Sequence, residues 1–249
     1  MTLNIAAYHF VHIDDPPALA TRLLQHAHTC ELRGTVLIAS EGINLFLAGD
    51  PAEVSGFVDV LHADTRLAAI RIRQSHSDAQ PFAQLKVKVK AEIISFRREG
   101  ASPLKQGPAP AVVPQVLARW IEQGHDDAGR RLVLLDTRNR EEVGHGTFTG
   151  ALTLPIDNFT DLPEAIAPYI DGLGDATVVG FCTGGIRCEK AVLWLRNAGM
   201  DNVLQLDGGI LGYFEEVGNV GFEGRCFVFD QRVAVDAQLK PLMDATPAI

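Results

Sequence analysis

Long apolar runs are missing from this sequence. None approaches the roughly 20 residues a membrane-spanning helix requires, and mean hydropathy is only +0.09. The opening stretch MTLNIAAYHF has no basic region followed by an apolar core, so it does not read as a secretory signal. Cysteine is scarce: Cys30, Cys182, Cys188 and Cys226 are the four in 249 residues, and no two form a CxxC pair. That argues against a zinc ribbon, a thioredoxin-type redox pair or a disulfide scaffold, and the expectation is free thiols in a reducing cytoplasm. The eight histidines are scattered, with no HxxxH or facial-triad spacing, so no metal site is indicated. No GxGxxG follows a strand, so no dinucleotide or flavin cofactor is indicated either. Positive charge is in the minority, with 22 Lys and Arg against 31 Asp and Glu, a net of −9. This excludes a uniformly basic nucleic-acid binder but not a local basic patch. Aromatics make up 7%, too few to suggest a base-stacking platform. Phe82 and Phe96 are the nearest candidates, and both read rather as core.

What is present is ordinary globular composition, 47% hydrophobic and 21% charged, in a chain long enough for one large or two small domains. The first hundred residues alternate strand and helix signals. Ile5–Ile13 reads as a strand; Asp14, Asp15, Pro16 and Pro17 stop it and open a helix through Ala20, Leu23, Leu24 and Ala27. Gly34–Ser40 and Ile43–Gly49 read as paired strands about Glu41-Gly42. Asp50 and Pro51 then begin a helix carrying Val54, Phe57, Val58 and Leu61, followed by a strand at Ala69–Ser75. The order βαββαβ is a ferredoxin-like pattern, and Leu85–Phe96 extends it with one more strand. Residues 101–114, with four prolines, read as a linker. Beyond it Arg131–Asp136, Ala176–Cys182 and Asn202–Gly209 read as strands of a parallel α/β sheet, the first two near-continuous apolar runs. The expected fold class is therefore α/β: a ferredoxin-like (acylphosphatase-like) α+β domain over 1–105, then an α/β domain with a central parallel sheet over 106–249.

Charge is uneven along the chain. Residues 64–105 hold nine cations and four acids, a net of +5, leaving −14 for the rest. Lys86, Lys88 and Lys90 alternate with Leu85, Val87 and Val89, which places three ammonium groups on one face of a strand. Together with Arg97 and Arg98 they could present a basic face to RNA phosphates. The same alternation also protects an exposed edge strand against aggregation, and the sequence alone favours neither reading.

The segment that carries chemistry is TVVGFCTGGIRCEKAVLWL. A buried strand delivers Cys182 to its carboxyl end, where open α/β sheets place their ligand crevices. Thr183, Gly184, Gly185 and Ile186 connect it to a helix, and glycines allow successive N–H groups to converge on one point. That point lies at a helix N-terminus, which favours an anion, and Arg187 adds a permanent cation. A thiol there is expected to ionise and act as a nucleophile, held in a cradle formed by residues 183–188. The alternative is a structural cysteine in a tight turn; the glycine pair and the arginine favour the reactive thiol. Cys188, one turn into the helix, either supports the loop, resolves oxidised Cys182 as a disulfide, or is a small core residue. Cys226, in the apolar segment CFVF, reads as buried.

From Cys182 to Arg187 the pattern is C-x4-R, which resembles rhodanese-type sulfurtransferase loops; the Cys-dependent phosphatases use C-x5-R. The stretch LLDTRNREEVGHGTFTGALTLPI resembles the rhodanese pattern through Asp136, Arg138, Glu142, Gly146, Gly150, Ala151 and Pro155, and VLQLDGGILGY resembles its closing motif, with Tyr213 near the tryptophan position. In this reading Asp136 and Arg138 support the fold, the acid capping backbone and pairing with the arginine. With EGIN, PFAQLKVKVKAEII and GFEGRCFVFDQRVAVD, nearly the whole chain resembles the bacterial TrhO-type tRNA uridine hydroxylases, a rhodanese-domain family. Longer members carry a Cys-rich C-terminal extension that has no counterpart before Ile249. The resemblance implies an oxidoreductase that makes 5-hydroxyuridine at the wobble position of tRNA, with oxygen as co-substrate, tRNA as partner, no membrane partner, and Cys182 as the active residue. Two other readings stay open: a sulfurtransferase carrying a persulfide on Cys182, and a non-catalytic RNA- or protein-binding redox sensor.

Overall fold

A computed structural model describes residues 1–241, and they divide into two compact units, the second beginning at Phe96. Residues 242–249 of the expected second domain lie outside the described residues.

The first unit contains β1 (Thr2–Phe10), α1 (Pro16–Thr29), β2 (Arg33–Ala39), β3 (Gly42–Gly49), α2 (Pro51–Ala63), β4 (Arg73–Ser77) and β5 (Leu85–Val89). Both helices begin as the sequence dictates. The Asp15 carboxylate accepts the Ala18 N–H at 3.0 Å, the Asp50 carboxylate accepts that of Ala52 at 2.9 Å, and a proline opens each first turn. Their apolar stripes, Leu19, Leu23 and Ala27 on one and Val54, Phe57 and Leu61 on the other, bury against Ile5, Val36, Leu45 and Leu47 of the sheet. The sheet order is β4-β1-β3-β2-β5, antiparallel except for the parallel pair β2/β5. The first four strands thus take the ferredoxin-like arrangement, with β5 added beside β2.

Two strands differ from their sequence reading. The strand expected over Leu85–Phe96 ends at Val89. Its last ladder bond is the Lys90 N–H to the Ile38 carbonyl. Then the Glu41 carboxylate takes the Ile93 N–H at 2.8 Å and the Asn44 amide donates to the Ile93 carbonyl at 3.2 Å, hooking the chain off the sheet edge. The strand expected over Ala69–Ser75 runs instead from Arg73 to Ser77. Leu67 and Ile70 lie in successive turns and plug the core rather than pairing.

The second unit comprises α3 (Pro103–Gln106), β6 (Ala111–Val112), α4 (Pro114–Gln123), β7 (Leu132–Asp136), α5 (Arg140–His145), β8 (Gly146–Phe148), β9 (Leu152–Thr153), α6 (Leu162–Ile166), α7 (Ile170–Leu173), β10 (Thr177–Phe181), α8 (Ile186–Asn197), β11 (Val203–Leu206), α9 (Gly209–Val217), β12 (Phe222–Gly224), β13 (Cys226–Phe227) and β14 (Ala234–Val235). Its main sheet, β6-β11-β10-β7-β9, is parallel throughout. β10, with every residue buried, is its central strand, as the unbroken apolar run predicts. An edge-to-face aromatic cluster of Phe148 with Phe181, Tyr213 and Phe222, centroids 4.9–5.2 Å apart, packs beside the end of β10.

The boundary falls ten residues before the sequence placed it. Phe96 is fully buried in the second unit, stacked at 4.6 Å on Phe159 with Trp194 at its edge. The proline-rich stretch is not a free linker either. Pro103 and Pro114 open helices, the Ala109 N–H donates to Glu189 at 2.9 Å, and Ala111–Val112 pairs with β11. No helix among the described residues is long and apolar enough to cross a membrane.

Candidate active site

The site forms where β10 hands over to α8. Cys182 follows the strand, and its side chain is fully buried. The outer side of the loop is pinned by α9. The Ile210 N–H donates to the Cys182 carbonyl at 2.9 Å and the Leu211 N–H to the Thr183 carbonyl at 3.0 Å. With those carbonyls held outward, the loop amides turn inward. The Gly185 N–H donates to the Cys182 sulfur at 3.1 Å. Gly185 has φ +99, a left-handed conformation that favours glycine. Gly209, which starts α9, has φ +64, and a Cβ there would stand 2.5 Å from the Cys182 carbonyl and 2.7 Å from the Gly185 nitrogen. Glycine at this position is what lets the two helices share the loop.

Burial pushes the Cys182 thiol up, but four groups outweigh it. The Cys188 thiol donates to the sulfur, the Arg187 guanidinium faces it, and the Arg187 and Gly185 amides point at it, bringing the pKa down to about 6. Cys182 is therefore mainly thiolate at neutral pH, buried among dipoles rather than in hydrocarbon. Cys188 moves the opposite way. Burial, then the negative sulfur beside it, hold its thiol well above the ordinary range, so it keeps its proton and donates. Its Sγ also lies 3.5 Å from the Thr137 hydroxyl, which donates to the Phe181 carbonyl.

Arg187 is buried and grips Glu142 with both arms, at 2.6 and 2.7 Å. Burial opposes the ionised Glu142, yet Arg187 holds its carboxyl below the usual value. The Thr183 hydroxyl donates to Glu142 at 3.5 Å and to the Phe227 carbonyl at 3.3 Å, and the Phe229 ring lies 5.8 Å from the guanidinium. The segment after β12 is thus fastened against the loop. Cys226, fully buried within it, is pushed up to about 12 by burial.

Asp136 and Arg138, both at zero exposure, form a buried brace. Arg138 donates to both carboxylate oxygens at 2.9 and 2.6 Å and to the Gly146 carbonyl at 2.6 Å; the Thr147 hydroxyl completes the Asp136 oxygens at 2.7 Å. The brace ties the end of β7 to β8 and places Arg138 beside the Phe181 ring, 5.9 Å away.

Residues 2–93 match the UPF0176 acylphosphatase like domain, and residues 113–216 match the Rhodanese-like domain. Over 98% of its length the chain is 65% identical to a protein of Xanthomonas campestris pv. campestris named tRNA uridine(34) hydroxylase, covering 96% of it. The chain belongs to that family. Other proteins of the tRNA uridine(34) hydroxylase family are similar along nearly the whole chain. One from Xanthomonas axonopodis pv. citri is 64% identical, with 98% of each chain covered; one from Xylella fastidiosa is 60% identical, with 97% of this chain and 94% of that protein covered.

The expected site residues are only partly gathered. Cys182, Gly185, Arg187 and Cys188 meet around one sulfur, while the Thr183 hydroxyl turns to Glu142 and the Phe227 carbonyl. Lys86, Lys88 and Lys90 are exposed together along β5 and its end, while Leu85 and Val87 pack onto the core of the first unit. Arg97 and Arg98 belong to the second unit, and Arg98 is held by Glu164 and the Thr160 carbonyl. Two contributors were missed as site residues. Glu142 stands 45 positions from Arg187, and no local spacing links them; it was legible as part of the rhodanese-like stretch but not as the partner that a buried arginine demands. Gly209 was legible as part of a family motif but not as the residue that shapes the thiol loop.

Proposed function

We propose that this chain is an oxidoreductase that hydroxylates C5 of uridine 34, the wobble position of tRNA, with Cys182 as nucleophile and molecular oxygen as co-substrate. Full-length similarity to proteins named tRNA uridine(34) hydroxylase supports the reaction. The observation that carries the chemistry is the Cys182 sulfur held ionised by the Gly185 amide, Arg187 and Cys188. A thiolate adds to C6 of uracil, forming an S–C6 bond and moving the C5–C6 π electrons to C5. C5 becomes an electron-rich carbon open to oxidation. In the structure Cys182 is fully buried, so the site opens to admit the base, and the part that withdraws in this reading is the segment held to Thr183 and Arg187 through Phe227 and Phe229. The exposed lysines of β5 give the phosphate backbone a salt-sensitive contact.

Nucleoside mass spectrometry of tRNA from cells with and without the protein is the direct test. Loss of 5-hydroxyuridine in its absence, and no recovery with Cys182→Ser, is expected; product from the serine variant discards Cys182 as nucleophile. Reversing Lys86, Lys88 and Lys90 to glutamate lowers the salt dependence of tRNA binding by up to about three phosphate contacts; an unchanged slope removes that face from the interface.

A second reading, transfer of sulfane sulfur through a Cys182 persulfide, is favoured by the match of residues 113–216 to the Rhodanese-like domain. Thiocyanate formation from thiosulfate and cyanide, lost in Cys182→Ser, distinguishes it.

A further inference from the structure

Hydroxylation of the base carries an electron requirement that the site itself addresses. Dioxygen accepts four electrons on the way to one hydroxyl and one water. Converting C5–H to C5–OH supplies two, so two more must come from elsewhere. The sulfur that attacks the base has a second thiol built against it. Gly185 binds both cysteines at once: its N–H donates to the Cys182 Sγ at 3.1 Å, and its carbonyl accepts the Cys188 N–H at 3.0 Å. Thr137 holds the far side, 3.5 Å from the Cys188 Sγ, while donating to the carbonyl of Phe181, the residue before Cys182. Both sulfurs are fully buried, so the pair is screened from bulk oxidants.

We propose that Cys182 and Cys188 are the two-electron donor of the reaction, closing to a disulfide once per hydroxylation and needing a thiol reductant to reopen; this role rests on the hydroxylase reading. In balance, uracil C5–H, dioxygen, the Cys182 thiolate, the Cys188 thiol and one proton give uracil C5–OH, water and the Cys182–Cys188 disulfide. The O–O bond breaks, one oxygen staying on C5 and the other leaving as water. The S–C6 bond breaks as C5 gives up its proton, which restores the C5–C6 double bond and returns Cys182 as a thiolate; the S–S bond then forms as the two sulfurs lose two electrons. The Cys188 proton, the proton displaced from C5 and the one taken from solvent end on the hydroxyl and the water. The reductant then returns two electrons by thiol–disulfide exchange, itself becoming a disulfide. Cys188 is thus a reacting group and not only the hydrogen-bond donor that helps ionise Cys182.

The test is a limited-turnover experiment on the whole chain. Protein reduced with dithiothreitol and then freed of it without air is mixed with unmodified tRNA in aerated buffer. About one 5-hydroxyuridine per chain is expected, with a matching amount of Cys182–Cys188 disulfide found by alkylation and peptide mass spectrometry; fresh dithiothreitol restores repeated turnover. Cys188→Ser is expected to lose that first round by at least about tenfold, whereas Cys30→Ser, in the other unit, keeps it. Many turnovers without added thiol, or a disulfide from Cys182 to Cys226 instead, overturns the proposal and leaves the hydroxylation standing. No 5-hydroxyuridine with or without dithiothreitol sinks the hydroxylase reading and this proposal with it.

Discussion

Cys182 and Cys226 lie in the same unit and are equally inaccessible, both with zero exposure, yet they titrate at opposite ends of the scale, at about 6 and about 12. Burial raises both, because a charged sulfur loses its hydration. Around Cys226 the Arg138 charge and the Thr183 hydroxyl pull the other way but do not win. Arg138 is paired with Asp136 just as Arg187 is with Glu142, so a paired guanidinium alone does not set the two sulfurs apart. Around Cys182 the loop adds two amides, a thiol donor and a guanidinium. Depth in the fold therefore does not decide which cysteine reacts. The decision lies in whether the backbone offers donors that have nowhere else to go, as it does at the start of a helix.

Substitution breaks this comparison most sharply. Cys182→Ser should lower 5-hydroxyuridine formation by at least about a thousandfold, since a neutral hydroxyl replaces a preformed thiolate. Cys226→Ala should keep product within about twofold and lower stability by about 1 kcal/mol for the removed volume. Equal loss from both in a folded protein would mean that Cys226 shares the chemistry. Gly209→Ala comes next. Its φ of +64 and the 2.5 Å clash with the Cys182 carbonyl force α9 away from the loop. The amides then lose their aim, and activity should fall about ten- to a hundredfold while melting shows a loss of about 1–3 kcal/mol. An active alanine variant would show that the loop holds its shape without α9. A pH profile is gentler. The reactive form is deprotonated, so the rate of Cys182 alkylation should be flat above its pKa of about 6. Below it the rate should fall about tenfold per pH unit. Cys226 should stay a thiol across the same range, and a midpoint near the ordinary thiol value for Cys182 would contradict the geometry of the loop.

The thiol end of this contrast was legible in the sequence. An unbroken apolar run, TVVGF, can only be a covered strand, and a cysteine, two glycines and an arginine after it announce a turn into a helix. The other ingredients were not legible, because they are made by distance in sequence. Glu142 reaches Arg187 from α5, and the loop carbonyls are held by residues 210 and 211. The proline-rich stretch misled for a local reason. Proline marks linkers and also opens helices, and at Pro103 and Pro114 the second use applies. The end of β5 misled for a non-local one, since the alternation persists past Val89 while the Asn44 and Glu41 side chains pull Ile93 aside.

The smallest effect is expected from Glu142→Gln, and its sign separates two roles for the acid. Arginine keeps its proton at any ordinary pH, so Arg187 remains charged in the variant. The substituted amide still offers one carbonyl to the guanidinium but no longer cancels its charge. If Glu142 acts on Cys182 mainly by neutralising Arg187, removing the negative charge exposes the sulfur to more of the cation. The midpoint for Cys182 alkylation should then move to lower pH by about half a unit to one unit. Stability should fall by about 1–3 kcal/mol as a buried charged hydrogen bond is lost. If the acid instead serves to hold the guanidinium in place, the arginine swings away and the midpoint climbs toward that of an ordinary thiol, narrowing the gap to Cys226. The bidentate grip at 2.6 and 2.7 Å and the second hold from the Phe229 ring favour an arginine that stays, and hence the acid-side shift.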